Sequence, residues 1–286
     1  MMIQSLRQIK NRIRGIENAK KVTGALEMIS VSKLNSTNKM LSALRPYFLK
    51  LETMLNDLLA SIEAPESLFL EKKAVGKKIC LCVITSDSGL CGVYNNNIIR
   101  AAQEFIHAQG KDTVELVIVG RKGFNYFKNA PGVSIVKSYL GLNGRYSNKI
   151  SDEITQYLSA LFSSGRVGEV YSAYTHFETA LLHKPVVKKF LGIQAQGGVK
   201  SEYIFEPAPS RVLDEVILRY IALYGRFMLL DAFASEHAAR TVAMKTATDN
   251  ARDLLKQLIL MRNKVRQAMI TQDMLEIISS AEALKG

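Results

Sequence analysis

Residues 41–62 read LSALRPYFLKLETMLNDLLASI. Leu41, Leu44, Phe48, Leu51, Leu55, Leu58 and Ile62 stand three and four residues apart in alternation. A stripe that narrow is the seam of a coiled coil, because a helix buried on a broad face carries a wider apolar band. Working back toward the N-terminus, Leu6, Ile9, Ile13 and Ile16 keep the same spacing. The apolar residues then slip through Ala19, Val22, Leu26 and Ile29, which predicts a local change in winding. One helix over residues 3–62 follows, with Pro46 expected to kink it or remove a hydrogen bond and Pro65 ending it.

The other end of the chain mirrors this. Residues 211–285 hold no proline, and Gly225 is their single glycine. Leu254, Leu258, Met261, Val265, Ala268, Gln272 and Leu275 again alternate by four and three. A helix of that length extends roughly 110 Å at about 1.5 Å per residue, more than one small globule can enclose. It therefore needs a partner, and the N-terminal helix is the comparable element. Antiparallel pairing is expected, since a compact domain separates the two ends. The longer C-terminal helix then forms the tip alone.

Between them, about 76–195, strand and helix signals alternate. Strands are predicted at Lys78–Thr85, Thr113–Val119, Val133–Ser138, Glu169–His176 and Val186–Ile193, with helices at Asn97–Ala108, Phe124–Lys128 and Ile150–Phe162. That order predicts an α/β fold: a Rossmann-like central domain with a mostly parallel sheet, joined to a long antiparallel coiled coil of the two terminal helices. The domain reading is 1–65 for the N-terminal coiled-coil helix, 76–195 for the central domain and 210–286 for the C-terminal helix.

The net charge is +12. Residues 1–60 hold ten Lys/Arg against four Asp/Glu, and residues 211–286 eleven against nine. A basic surface suits a nucleic acid, an anionic membrane face or an acidic protein. Arg7, Lys10, Arg12, Arg14, Lys20 and Lys21 could follow a phosphate backbone, but the aromatic residues of a single-strand binder are not interleaved among them. A solvated helix face accounts for them equally. The acid-free first sixteen residues superficially resemble a transit peptide. Their apolar positions run in register into the helix, so they are read as structure. No secretory signal is visible, and no apolar stretch reaches the roughly 20 residues of a membrane span. The best window, Ile217–Phe233, is broken by Arg219, Arg226 and Asp231. Three cysteines, Cys80, Cys82 and Cys91, suggest a reducing compartment. Cys80 and Cys82 are expected on one face of a strand. The histidines His107, His176, His183 and His237 are scattered, and no metal set is expected.

The loop Ser86-Asp87-Ser88-Gly89-Leu90-Cys91-Gly92 lies where a phosphate-cradling loop would lie, after a strand and before a helix. It lacks both the G-x-G-x-x-G spacing and the G-K-[ST] of a P-loop, so a structural turn is favoured. Gly120-Arg121-Lys122-Gly123 reads the same way. Cys91 near a helix start has no visible His or Asn companion for nucleophilic work. Asp249 and Asp253 are read as solvated, with Arg252 and Lys256 as counter-charges. No catalytic, cofactor-binding or metal-binding residue is assigned. Gln267–Leu284 holds three acids and no base. Its Met269, Ile270, Met274, Ile277 and Ile278 would be exposed on more than one face, which marks a partner contact.

Three blocks then carry a resemblance. The first is Lys21-Val22-Thr23-Gly24-Ala25-Leu26-Glu27-Met28 with Ser32-Lys33 and Arg45-Pro46-Tyr47. The second is Thr85 to Gly92 with Asn95. The third is Ser235-Glu236-His237-Ala238-Ala239-Arg240, then Ala243–Ala251, then Arg266–Gln272. Together, and in this order, they resemble the γ subunits of F-type rotary ATP synthases. The chain departs at Asp273, where the family usually has Glu, and at Ser280-Ala281, where it usually has Gly-Ala. It also lacks the redox insert of chloroplast members.

The resemblance implies a rotor shaft that couples ion flow through a membrane c-ring to ATP synthesis or hydrolysis on β subunits. The shaft itself is non-catalytic and regulates ATPase activity and ion flow. It implies α, β, ε and c-ring partners, no nucleic acid, no cofactor and membrane association through the complex alone. The place implied is peripheral, at the cytoplasmic face of a bacterial inner membrane. It implies Arg240, Arg266, Gln267 and Thr271 as polar contacts to β, with Lys21, Leu26 and Met28 as a second contact region. Two other readings stay open at this point: a nucleotide-binding enzyme with a helical arm, and a coiled coil that binds nucleic acid.

Overall fold

The computed structural model describes residues 6–62, 67–70, 78–179, 181–193, 206 and 208–283. The expected Pro65 stop lies outside them. Helix α1 spans Leu6–Ser61 and continues through Pro46. Strand β1 (Lys78–Ile84) is followed by α2 (Tyr94–Gln109), β2 (Val114–Val119), α3 (Arg121–Phe127), β3 (Ser134–Tyr139), α4 (Asn148–Ser163), β4 (Val167–Phe177), β5 (His183–Leu191) and α5 (Pro209–Ala283). Pro209 opens α5, where its missing N–H costs no helical hydrogen bond.

The chain divides into two compact units, residues 30–240 and the two ends 1–29 with 241–286. In the first, the sheet order is β3-β2-β1-β4-β5. The first four strands are parallel, and β5 pairs antiparallel with β4 as a hairpin partner. The apolar alternation of β1 assigns the faces. Leu81 and Val83 pack with Ile98, Ala102 and Ile106 of α2. Cys80, Cys82 and Ile84 face a larger cluster built from α4 and from the inner parts of both terminal helices, including Leu41, Phe48, Leu55, Ile217 and Phe227. Phe48 stacks on Phe227 with centroids 4.4 Å apart. The two strand cysteines do share one face, and burial pushes the Cys82 thiol up to about 12, so both serve as small apolar side chains. At Gly225 a β-carbon would collide with the Thr155 hydroxyl. The glycine lets α4 approach the α5 backbone closely.

Two details of the helices differ from the reading of the apolar residues. The α1 stripe does not slip. Ile9, Ile13, Ile16, Lys20, Thr23, Glu27, Ser30, Leu34, Thr37 and Leu41 hold the three-four alternation without a break, and each is buried or half-buried. Val22 and Ile29 instead stand 59% and 54% exposed. Polar residues hold the middle of the seam, so a search for apolar residues alone loses its phase there.

On α5 the inward positions are Met244, Thr248, Ala251, Leu255, Leu258, Arg262 and Val265. Leu254 and Met261, expected in the seam, point outward by one residue. In the unit of the two ends, Ile9 and Ile13 cluster with Leu255 and Leu258, while the Thr248 hydroxyl donates to Thr23 Oγ1 at 2.8 Å. Contacts that advance along α1 thus retreat along α5, which makes the pair antiparallel.

Candidate functional site: a buried ionic node and an exposed helical end

Parts of all three sequence blocks lie together in the unit of residues 30–240: Lys33 and Arg45, the loop Thr85–Gly92, and Ser235–Arg240. Strand β2 is followed by Gly120, whose φ of +97° and closeness to the Thr85 carbonyl exclude a β-carbon. Beside it the loop after β1 is clipped by its own residues. Asn95 Oδ1 accepts from the Ser86 N–H at 3.0 Å, and Asn95 Nδ2 donates to Ser86 Oγ at 2.8 Å and to Cys91 Sγ at 3.1 Å. Sequence spacing gave Cys91 no companion, but Asn95 lies one helical turn on and contacts it. This contact orders the loop and does not activate the thiol, since burial pushes the Cys91 thiol up and keeps it protonated. The loop then carries Leu90 outward in the left-handed region, at φ 62° and 63% exposed.

Arg240 was expected at a partner's surface. Its side chain is 10% exposed and committed within the chain. Nη1 pairs with Glu236 Oε1 at 2.8 Å. Nη2 donates to Ser88 Oγ at 3.1 Å and to the Ser88 carbonyl at 3.3 Å, and Nε reaches the Gly89 carbonyl at 3.4 Å. A guanidinium has five donors in a fixed fork, and here they tie α5 to the loop after β1.

Burial raises the Glu236 carboxyl and Arg240 partly offsets it. Next to it, His237 Nε2 stands 2.9 Å from the Gly144 carbonyl. A carbonyl can only accept, so the proton is on Nε2 and Nδ1 is left free to accept from Arg240 at 3.5 Å. Burial, reinforced by Arg240 and Lys33, lowers the His237 pKa to about 4. From α1, Lys33 Nζ donates to the Asn143 carbonyl at 3.0 Å.

A second junction ties α1 and α5 to β4. Asp231 of α5 is fully buried, 3.3 Å from Arg45 of α1 and 2.6 Å from His176 Nδ1 of β4, and it accepts from the Phe177 N–H at 3.1 Å. Arg45 also donates to the Phe177 carbonyl at 2.6 Å. All three residues that interrupt the apolar window of α5 are therefore engaged: Asp231 here, Arg226 with Asp152 at 3.2 Å and Arg219 with Glu215 at 2.7 Å. Asp249 and Asp253 pair with Arg252 and Lys256 at 2.7 and 3.1 Å, the surface pairing expected of them.

The remaining predicted contact residues lie in the unit of the two ends. Lys21 is exposed, Met28 is 70% exposed, and Leu26 is half-buried. Arg266, Gln267 and Thr271 are exposed, the Thr271 hydroxyl bonding back to the Gln267 carbonyl at 3.0 Å. From Arg266 through Ala283 every residue is exposed, and Ile277 reaches 69%. Among the described residues no helix is long and apolar enough to cross a membrane, and no group of three or more His, Cys, Asp and Glu could hold a metal ion.

Comparison with known proteins sets the class first: the family model described as ATP synthase matches residues 5–284. The ATP synthase gamma chain of Protochlamydia amoebophila is 38% identical over 290 residues, covering 98% of this chain and 99% of its own. That of Heliobacterium modesticaldum is 37% identical with the same coverage. The chain belongs to the ATP synthase gamma chain family. Its fold agrees with that of a chain in the OSCP/F1/c-ring structure of Euglena gracilis mitochondrial ATP synthase, at TM-score 0.68 and 15% identity over 98% of this chain and 94% of that one. A chain in the central stalk/c-ring structure of the Tetrahymena thermophila enzyme matches at TM-score 0.61 and 21% identity, over 79% and 99%.

Proposed function

We propose that this chain is the central rotor shaft of a rotary ATP synthase, coupling ion flow through a c-ring to catalysis on β subunits. The observation that carries the reading is the 38% identity to a gamma chain across 98% of this chain. The two buried junctions suit the task. A turning moment applied to the α/β domain reaches α1 and α5 through Lys33, Arg45, Asp231 and Arg240, all held by charge-assisted bonds.

The shaft is non-catalytic in this reading. It meets the α and β subunits along its helices, and ε and the c-ring through its α/β domain. It regulates ATPase activity and ion flow and lies peripherally at the cytoplasmic face of a bacterial inner membrane. Exposed Lys21, Met28, Arg266, Gln267 and Thr271, with half-buried Leu26, are the contacts to β. Arg240 acts one step back, by shaping the loop that carries Leu90. The exposed apolar residues from Met269 to Ile278 are enclosed by the ring of partners.

Co-expression with α and β subunits tests the reading. A stoichiometric complex with ATP hydrolysis is expected, and hydrolysis should be absent from the chain alone. Recovery of the chain as a lone monomer that turns over a substrate unaided would overturn it.

A further inference from the structure

The carboxylate of Asp87 is the convergence point of three backbone N–H groups. Oδ1 accepts from Arg121 at 3.0 Å and from Gly141 at 2.9 Å, and Oδ2 accepts from Asn143 at 2.7 Å. Asp87 follows β1, Arg121 follows β2, and Gly141 and Asn143 follow β3. These are three adjacent parallel strands, and their C-terminal edge is where open α/β sheets receive ligands. Two of the donors stand in left-handed backbone, Gly141 at φ 83° and Asn143 at φ 51°. Asparagine is among the few non-glycine residues that adopt it readily, and its side-chain Nδ2 donates to the Gly141 carbonyl at 3.0 Å.

The segment so held has a second duty. Its Asn143 and Gly144 carbonyls are the acceptors for Lys33 of α1 and His237 of α5. Asp87 touches neither terminal helix side chain, yet both bonds depend on where residues 141–144 lie.

We propose that Asp87 is a positioning residue: a tethered anion that holds the 141–144 loop so that its carbonyls receive Lys33 and His237. The anion is the essential part. A side chain that merely filled space could be replaced by another of its size, whereas backbone N–H groups converging on a negative charge accept any oxyanion of suitable size. Removal of the carboxylate leaves these solvent-accessible donors to water, which holds no fixed geometry. An external tetrahedral oxyanion then substitutes in part for the lost group.

The test uses the full chain carrying Asp87→Ala, with inorganic phosphate as the probe and chloride at matched ionic strength as the control. The variant should melt roughly 3 °C below the parent, a shift appropriate to one solvent-accessible hydrogen-bond network in a domain of this size. Millimolar phosphate should recover part of that loss in the variant, chloride should not, and the parent should respond equally to both salts. In the amide NMR spectrum, Gly141 and Asn143 should move on phosphate addition in the variant alone. The proposal fails if the variant melts with the parent, or if phosphate and chloride act alike on it. Should Asp87→Ala not fold, Asp87→Asn keeps one acceptor oxygen. Faster hydrogen exchange is then expected at Gly141 or Asn143, and unchanged exchange at both would overturn the proposal.

Discussion

Single residues in the node carry sharply different obligations. Arg240 neutralises a carboxylate that is 1% exposed, and Glu236 Oε2 has no hydrogen-bond partner of its own. Arg240→Ala strands that charge, and about 3 kcal/mol of stability should be lost in urea denaturation. Arg240→Met combined with Glu236→Leu removes both charges and should recover much of the loss. His237 responds to pH. Its folded pKa, near 4, lies below the ordinary value of 6.5, so below pH 6.5 the unfolded chain takes up a proton that the folded chain refuses. Its contribution is complete above pH 6.5 and falls as pH drops toward 4, by roughly 2 kcal/mol between pH 7 and pH 5. Glu236 and Asp231, whose carboxyls are raised by burial, act in the opposite sense. Denaturation midpoints of the parent and His237→Gln at both pH values separate the terms: the variant should lose less on acidification. The bonding within this node was not legible in the sequence, although Lys33, Asp87 and His237 each stand in one of the three quoted blocks. Lys33, Asp87, Asn143 and His237 are far apart along the chain, and only the fold of the sheet edge brings them together.

At the scale of the element, the helices were legible because apolar residues repeat every three and four positions, and the fine phase was not. Thr23, Ser30 and Thr37 occupy seam positions at intervals of seven, and hydroxyls leave no apolar trace. On α5, Leu254 and Leu255 are adjacent, so the pattern fits either one. The structure chooses Leu255, at 8% exposed, over Leu254, at 37%. Leu258→Asp should therefore destabilise the helix pair by about 3 kcal/mol, since it places an unpaired charge in the seam. Leu254→Asp should cost under about 1 kcal/mol, as surface changes do. Thermal melting followed by circular dichroism distinguishes them, and equal losses would put Leu254 in the seam after all. The strands were read within a few residues because β-rich runs and glycine turns bound them. Helix α3 starts three residues before its predicted start, because Gly120 turns the chain directly into Arg121.

For the whole molecule, the shaft reading predicts that coupling and assembly separate. Arg266 is exposed and makes none of the buried bonds of the node, so Arg266→Ala should leave the complex assembled while lowering its ATP hydrolysis or synthesis rate. Unchanged turnover, measured in the purified complex, would show that this contact transmits little torque. The edge strand β5 bears on how the chain behaves when made without partners. Pro185 has no N–H to offer, and Lys184, Lys188 and Lys189 place like charges along the strand. An edge so furnished resists pairing with a second sheet. A surface more open to self-association is the bare end of α5, with Ile277 and Ile278 at 69% and 59% exposure. An orphaned chain should therefore clump reversibly through that helix rather than grow cross-β deposits. Ile277→Gln with Ile278→Gln should keep it monodisperse at higher concentration in light scattering, and a dye that reports amyloid should stay dark in both preparations.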